Sequence, residues 1–217
     1  MTAPARLDFD AVAATLRETQ AAFAQHRDEL WRDPMDDDVV ANMLAGYRFV
    51  DALVAESVDL FALGQSKALL ELNTRVLCGT DPDRRLRFAT HLAATERRFY
   101  DEPDGGVQDV IEWYAMHAGE SVWYRAAGLY VRMLAWPQLF VEGNHRTGAL
   151  VMSYILLREG RPPFVLTAAD APEFFEVGAS VRTLERNSPT LLIRMPRVKR
   201  RLALLLVSQV DRRHLRI

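Results

Sequence analysis

Phe140-Val141-Glu142-Gly143-Asn144-His145-Arg146-Thr147-Gly148 lies between two apolar segments, so the sequence predicts a helix-loop-helix junction there. Glycine at 143 lets the backbone approach a ligand closely. Asn144 is a good N-cap for the helix that follows, and the free N–H groups of its first turn point at whatever occupies the junction. Such a helix start attracts anions, and Arg146 in the first turn adds a bidentate cation for phosphate. Glu142 at the rim suits a magnesium ion shared with that phosphate, because this ion takes a carboxylate together with phosphate oxygens. A plain capped helix with a surface Glu and Arg fits the same residues, and spacing alone leaves both readings open.

Outward from the loop the dominant period is helical. Residues 108–118 and 121–135 read as helices, and 136–143 connects them to a helix that starts at Asn144 and ends before Gly160. Residues 169–181 and 188–213 read as further helices, with a kink or break expected at Pro196. Towards the N-terminus, Val12, Leu16, Ala22 and Phe23 predict an amphipathic helix over 7–31, broken by Asp33-Pro34. Asp36 to Asp38 then place acids in the first turn of a helix that runs through Met43, Tyr47, Phe49 and Leu53. A third helix runs from near Gly64 to Cys78, with Gly79 as its C-cap, and Asp81-Pro82 opens another that extends to about Arg97. Pro103-Asp104-Gly105-Gly106 is a turn flanked by Phe99-Tyr100 and Val107, so a small β-hairpin is expected over 98–107. The expected fold class is all-α with that one hairpin. It forms a single domain over 1–217, divided into N-terminal helices (1–65), a core (66–187) and a C-terminal helix (188–217).

Composition narrows the function. Of 217 residues, 27 are Lys or Arg and 29 are Asp or Glu, so the formal net charge of -2 lends no support to a nucleic-acid function. Cys78 is the single cysteine, which excludes an internal disulfide and a thiolate metal cluster. The apolar run 202–207 is too short to span a bilayer and no secretory signal opens the chain, so the expectation is a cytoplasmic protein without membrane contact.

Phe140-x-Glu142-Gly143-Asn144-x-Arg146 resembles the signature loop of the Fic/Doc family, His-x-Phe-x-(Asp/Glu)-Gly-Asn-(Gly or Lys)-Arg. The resemblance extends upstream to Ala126-Ala127-Gly128-Leu129-Tyr130 and downstream through Gly160, Pro162-Pro163 and the segment 169–177, covering about 70–181. It implies an all-α Fic fold in which residues 98–107 form a flap that docks target protein segments by strand addition. It further implies ATP or another nucleotide as donor, with magnesium held by Glu142 and phosphate held by Gly143, Asn144, His145 and Arg146. The family's activity is usually transfer of AMP to a protein hydroxyl, although some relatives transfer other phosphate-linked groups and Doc-type toxins phosphorylate. A homodimer is also compatible with a helical domain of this size.

The resemblance fails at the position that does the chemistry. Gln138 stands where the family has its catalytic histidine, and glutamine cannot act as a general base. Leu139 and His145 also depart from the pattern, and Ala149 replaces the second arginine of the transferase motif, so Arg146-Thr147-Gly148 is nearer the Doc form. Three readings follow: a nucleotide-binding domain with impaired transfer; an enzyme by altered chemistry, with His145 as base or Gln138 orienting a water; or a helical interaction scaffold. No Ser or Thr is followed four residues on by Glu, so the family's self-inhibiting pattern is missing from this sequence, in keeping with impaired transfer.

The remaining candidates read more plainly. Trp113, Tyr114, Trp123 and Tyr124 occur at helical spacing and read as packing, while Trp136 is placed to line the pocket. His26, His91, His117 and His214 lack metal-ligand spacing. The arginines around 194–216 read as a solvated basic face balanced by acids such as Asp36–Asp38.

Overall fold

The computed structural model describes residues 5–25, 35–208 and 211–216. Ten α-helices carry the described residues: α1 (Phe9–Gln25), α2 (Asp37–Ala55), α3 (Ser66–Cys78), α4 (Pro82–Arg87), α5 (Ala89–Asp101), α6 (Val107–Met116), α7 (Val122–Leu134), α8 (Asn144–Arg158), α9 (Ala171–Val181) and α10 (Pro189–Ser208). Their boundaries follow local chemistry. Asp36 caps α2 by accepting a hydrogen bond from Val39 N at 2.8 Å, and Asp81 caps α4 by accepting from Asp83 N at 2.9 Å. Gly79 terminates α3, as its sequence predicts.

Helix α8 is the axis of the fold. Every residue from Thr147 to Leu157 is buried, so it has no solvent face and must be enclosed by neighbours. Helices α2, α3 and α7 pack on it, α10 lies along α7 and α9, and α1 covers α2. Loops are pinned to this core by buried hydroxyls: Tyr47 Oη donates to Phe164 O at 2.7 Å, and Tyr154 Oη donates to Val58 O at 2.6 Å. Asp51, itself buried, accepts from Leu7 N at 2.8 Å and pairs with Arg6, fixing the segment before α1. Among the described residues no helix is long and apolar enough to cross a membrane.

The expected β-hairpin over 98–107 is not formed. Among the described residues the only β pairing is two isolated bridges, Leu7 with Leu215 and Trp136 with Glu185. Helix α5 continues to Asp101, Gly106 N closes a turn on Glu102 O at 3.0 Å, and α6 begins at Val107. Thr95 and Phe99, one helical turn apart, are the buried residues of α5, and Phe99 stacks on Phe140 of the loop at 5.5 Å. The helical period thus wins over the hairpin, and Pro103-Asp104-Gly105-Gly106 separates two helices instead of two strands. Strand addition at this segment therefore has no strand edge to use.

Smaller differences have equally local causes. The stretch after Asp81 is divided into α4 and α5 at Phe88. Helix α10 runs on through Pro196, which removes one backbone donor from the helix, and Leu192 one turn before it is exposed. The Asp33-Pro34 break and His26 lie outside the described residues. The basic C-terminal face is balanced by Glu173 and Glu176, which pair with Arg201, and by Glu120, which pairs with Lys199; Asp38 pairs instead with Arg84.

One buried polar cluster sets the approach to the loop. Asp109 of α6 accepts from Arg132 Nε of α7 and from Arg186 Nη1 after α9, each at 2.9 Å. Arg132 Nη1 donates to Arg186 O at 2.6 Å, and Arg186 Nη2 donates to Pro137 O at 2.7 Å. Arg186 is 1% exposed, and burial lowers its guanidinium to about 10 against the pull of Asp109. Removing the carboxylate leaves two buried cations without a close counter-charge. Asp109→Asn is expected to cost about 3 kcal/mol in urea unfolding; a loss below about 1 kcal/mol would contradict this role for the cluster.

Candidate phosphate-binding loop

The chain leaves α7 through a cis Trp136-Pro137 bond and is clamped at once. Trp136 N donates to Leu184 O at 2.8 Å and Trp136 O accepts from Arg186 N at 2.7 Å, while Leu139 N donates to Met133 O at 3.0 Å. Leu139 and Phe140 are buried, so the loop has an apolar foot. Asn144 then closes it: Oδ1 accepts from Phe140 N at 3.0 Å, and Nδ2 donates to Phe140 O at 2.8 Å and to Gln138 Oε1 at 3.2 Å. From α3, Asn73 Nδ2 donates to Glu142 O at 2.9 Å and to Thr147 Oγ1 at 3.0 Å. Gly143 has φ +76°, and a Cβ there would meet Asn73 Nδ2 at 3.1 Å and Val76 Cγ1 at 3.2 Å. Both the backbone conformation and the crowding demand glycine.

This geometry corrects one expectation. Gly143, not Asn144, occupies the N-cap of α8, and the Asn144 side chain caps no N–H of that helix. It faces back into the loop and is buried, so its contribution is to hold the turn. At the helix start Thr147 N donates to Gly143 O at 2.8 Å, the bond that closes the first turn of α8.

The charged residues stand at the open rim. The Glu142 side chain is 58% exposed; its carboxylate oxygens lie 3.8 Å from Arg146 Nη2 and 3.7 Å from His91 Nε2. Arg146 Nη1 donates to Val76 O at 3.4 Å, which steadies the guanidinium beside α3. Gln138 borders a surface depression of about 470 Å³ together with Trp136, Arg182 and Thr183. Trp136 is 53% exposed, with the Arg98 guanidinium 5.5 Å from its ring centre, and the depression it lines includes none of residues 142–146. Ala149 lies in the core.

His145 goes elsewhere. Its Nδ1 is 2.7 Å from Tyr130 Oη, and its ring meets Phe174 and Phe175 of α9 edge-on. A Cβ on Gly178 would come within 2.2 Å of its Cε1, so α9 approaches closely only because that residue is glycine. The imidazole expected at the phosphate is thus packed between α7 and α9, and only its backbone N–H belongs to the helix start.

Several residues that build this site carried no recognisable signal. Asn73 is separated from its partners by 69 and 74 positions, and the Asp109–Arg132–Arg186 cluster spans 77. His91 has no spacing pattern with Glu142, although the fold brings them together. Trp113, Tyr114 and Trp123 pack into or against the core, as their spacing indicated.

Burial among the aromatic rings, with the charge of Arg182, lowers the His145 imidazole to about 4. Unfolded histidine takes up its proton near pH 6.5. Between those values the unfolded state binds more protons, so stability falls as pH falls. His145 is expected to remove about 3 kcal/mol of stability between pH 7 and pH 4. A His145→Gln variant, unfolded in urea across that range, should lose correspondingly less; parallel curves would contradict the buried, neutral ring.

No family model matches the chain. Protein adenylyltransferase fic-1 of Caenorhabditis elegans is 26% identical over 143 residues, which cover 63% of this chain and 27% of that protein. A solved structure of Fic-1 from C. elegans matches with a TM-score of 0.53 and 18% identity over 91% of this chain and 59% of that one. The chain therefore spans about a quarter of the length of the curated relative. At that identity the structural likeness establishes the fold, in which α7, the loop and α8 hold the residues matching the signature. The chain is thus similar in sequence to part of a Fic adenylyltransferase and has the fold of a Fic protein.

Proposed function

We propose that the chain binds a nucleotide phosphate at the 142–146 loop and is impaired in transferring it. The observation that carries this reading is the division of labour inside one loop. Gly143 and Asn144 hold the turn, Glu142 and Arg146 stand at its exposed rim, and the two side chains nearest the missing chemistry are committed elsewhere. Gln138 accepts a hydrogen bond from Asn144, and His145 is packed against Tyr130.

The donor set fits a nucleotide with a divalent cation. Arg146 supplies a cation at a helix N-terminus, where the helix dipole favours phosphate. Glu142 supplies an exposed carboxylate next to it, of the kind that shares an ion with phosphate oxygens. When bound, magnesium would neutralise charge on the phosphates. The residues of this chain would orient the phosphates against the helix start, with Ala149 offering no second arginine. ATP as the donor and a protein hydroxyl as the acceptor rest on the name of the C. elegans relative, protein adenylyltransferase, and on the loop motif.

A general base contributes about 10²–10⁴ in rate, and neither Gln138 nor the buried His145 provides one. Labelled ATP with magnesium and a protein mixture should leave the wild type near background, while Gln138→His labels itself or another protein at least about 10²-fold faster. Wild-type turnover equal to that of the histidine variant would overturn the impaired reading and assign catalysis to other groups.

A further inference from the structure

We propose that His91 is a second protein ligand of the metal ion at Glu142, giving the site a preference for an imidazole-binding transition metal over magnesium. This rests on the loop reading above. His91 is carried on α5, which continues to Asp101 through the start of the expected hairpin, and Phe99 of the same helix stacks on Phe140. The fold therefore fixes α5 against the loop, and with it the position of the imidazole.

His91 Nε2 is 3.7 Å from Glu142 Oε2. The same nitrogen is closed off from solvent and has no hydrogen-bond partner among the described residues. A buried ring nitrogen without a partner is costly and calls for an explanation. The separation is too long for a hydrogen bond, which needs about 2.7–3.2 Å. It is close to the distance between two ligands of one ion, roughly 3.4 Å for bonds of about 2.0–2.2 Å at a tetrahedral angle. Arg146 approaches the other carboxylate oxygen at 3.8 Å, leaving the His91 side of Glu142 for the cation and the Arg146 side for phosphate.

Ligand chemistry then sets the class of metal. Magnesium favours oxygen donors, whereas a neutral imidazole suits zinc, cobalt or nickel. Among the described residues no three His, Cys, Asp or Glu side chains converge, so His91 and Glu142 would act with phosphate oxygens and water. The metal enters as part of a metal–nucleotide complex.

The test compares equilibrium binding of cobalt–ATP and magnesium–ATP to the full chain by calorimetry, with no turnover measured. The wild type should bind the cobalt complex at least about tenfold tighter. His91→Gln should bring the two affinities together, with its thermal melt recorded to show that it is folded. Equal affinities in the wild type, or a cobalt preference that survives His91→Gln, would overturn the role of His91 while leaving the loop reading intact. Failure of both complexes to bind the wild type would overturn the loop reading and this inference with it.

Discussion

Helix α8 is enclosed from Thr147 to Leu157, and that enclosure governs what its ends can do. A helix without a solvent face can offer polar groups only at its termini, where backbone N–H and C=O groups lack intrahelical partners. At the N-terminal end Gly143 turns the chain outward, and Asn144 and Asn73 hold the turn from either side. The same enclosure explains His145. One residue into the helix it already faces α7 and α9, and it takes a hydrogen bond with Tyr130 in place of solvent. Arg146, the next residue, emerges beside α3 and stays at the rim. Two neighbouring polar residues therefore have opposite fates because of the helical rotation between them.

The loop was legible because its information is local. Glycine, a short polar run and the helix behind it are read from consecutive residues, and the helices themselves follow from apolar periodicity. The hairpin expectation fails for a related reason. Pro103-Asp104-Gly105-Gly106 signals a turn without saying what it joins, and only the packing of Phe99 on Phe140 decides for helix. The N-cap of α8 was displaced by one residue because asparagine and glycine both serve at such a position, and the crowding from Asn73 and Val76 selects glycine. Residues that meet across the fold left no trace in the sequence. Asp109, Arg132 and Arg186 are distant in the chain, and each reads as an ordinary surface charge until the structure buries the two arginines against the half-buried Asp109.

Loop architecture and reaction chemistry are thus separable in this molecule. The groups that shape the turn are fastened by hydrogen bonds within the loop and from α3, and none of those bonds depends on the residue at 138 being a base. Gln138 even joins the network by accepting from Asn144. A loop held this way keeps its shape whether or not a proton-transfer group stands at position 138. The proposed binding function draws on this separation.

The measurement that bears most directly on this account is an amide NMR titration of the chain with magnesium–ATP. Saturable shifts are expected at the backbone N–H groups of Gly143 to Thr147, with the buried turns of α8 unchanged. Absence of shifts, or shifts confined to a surface away from this loop, would contradict the claim that the 142–146 loop holds phosphate.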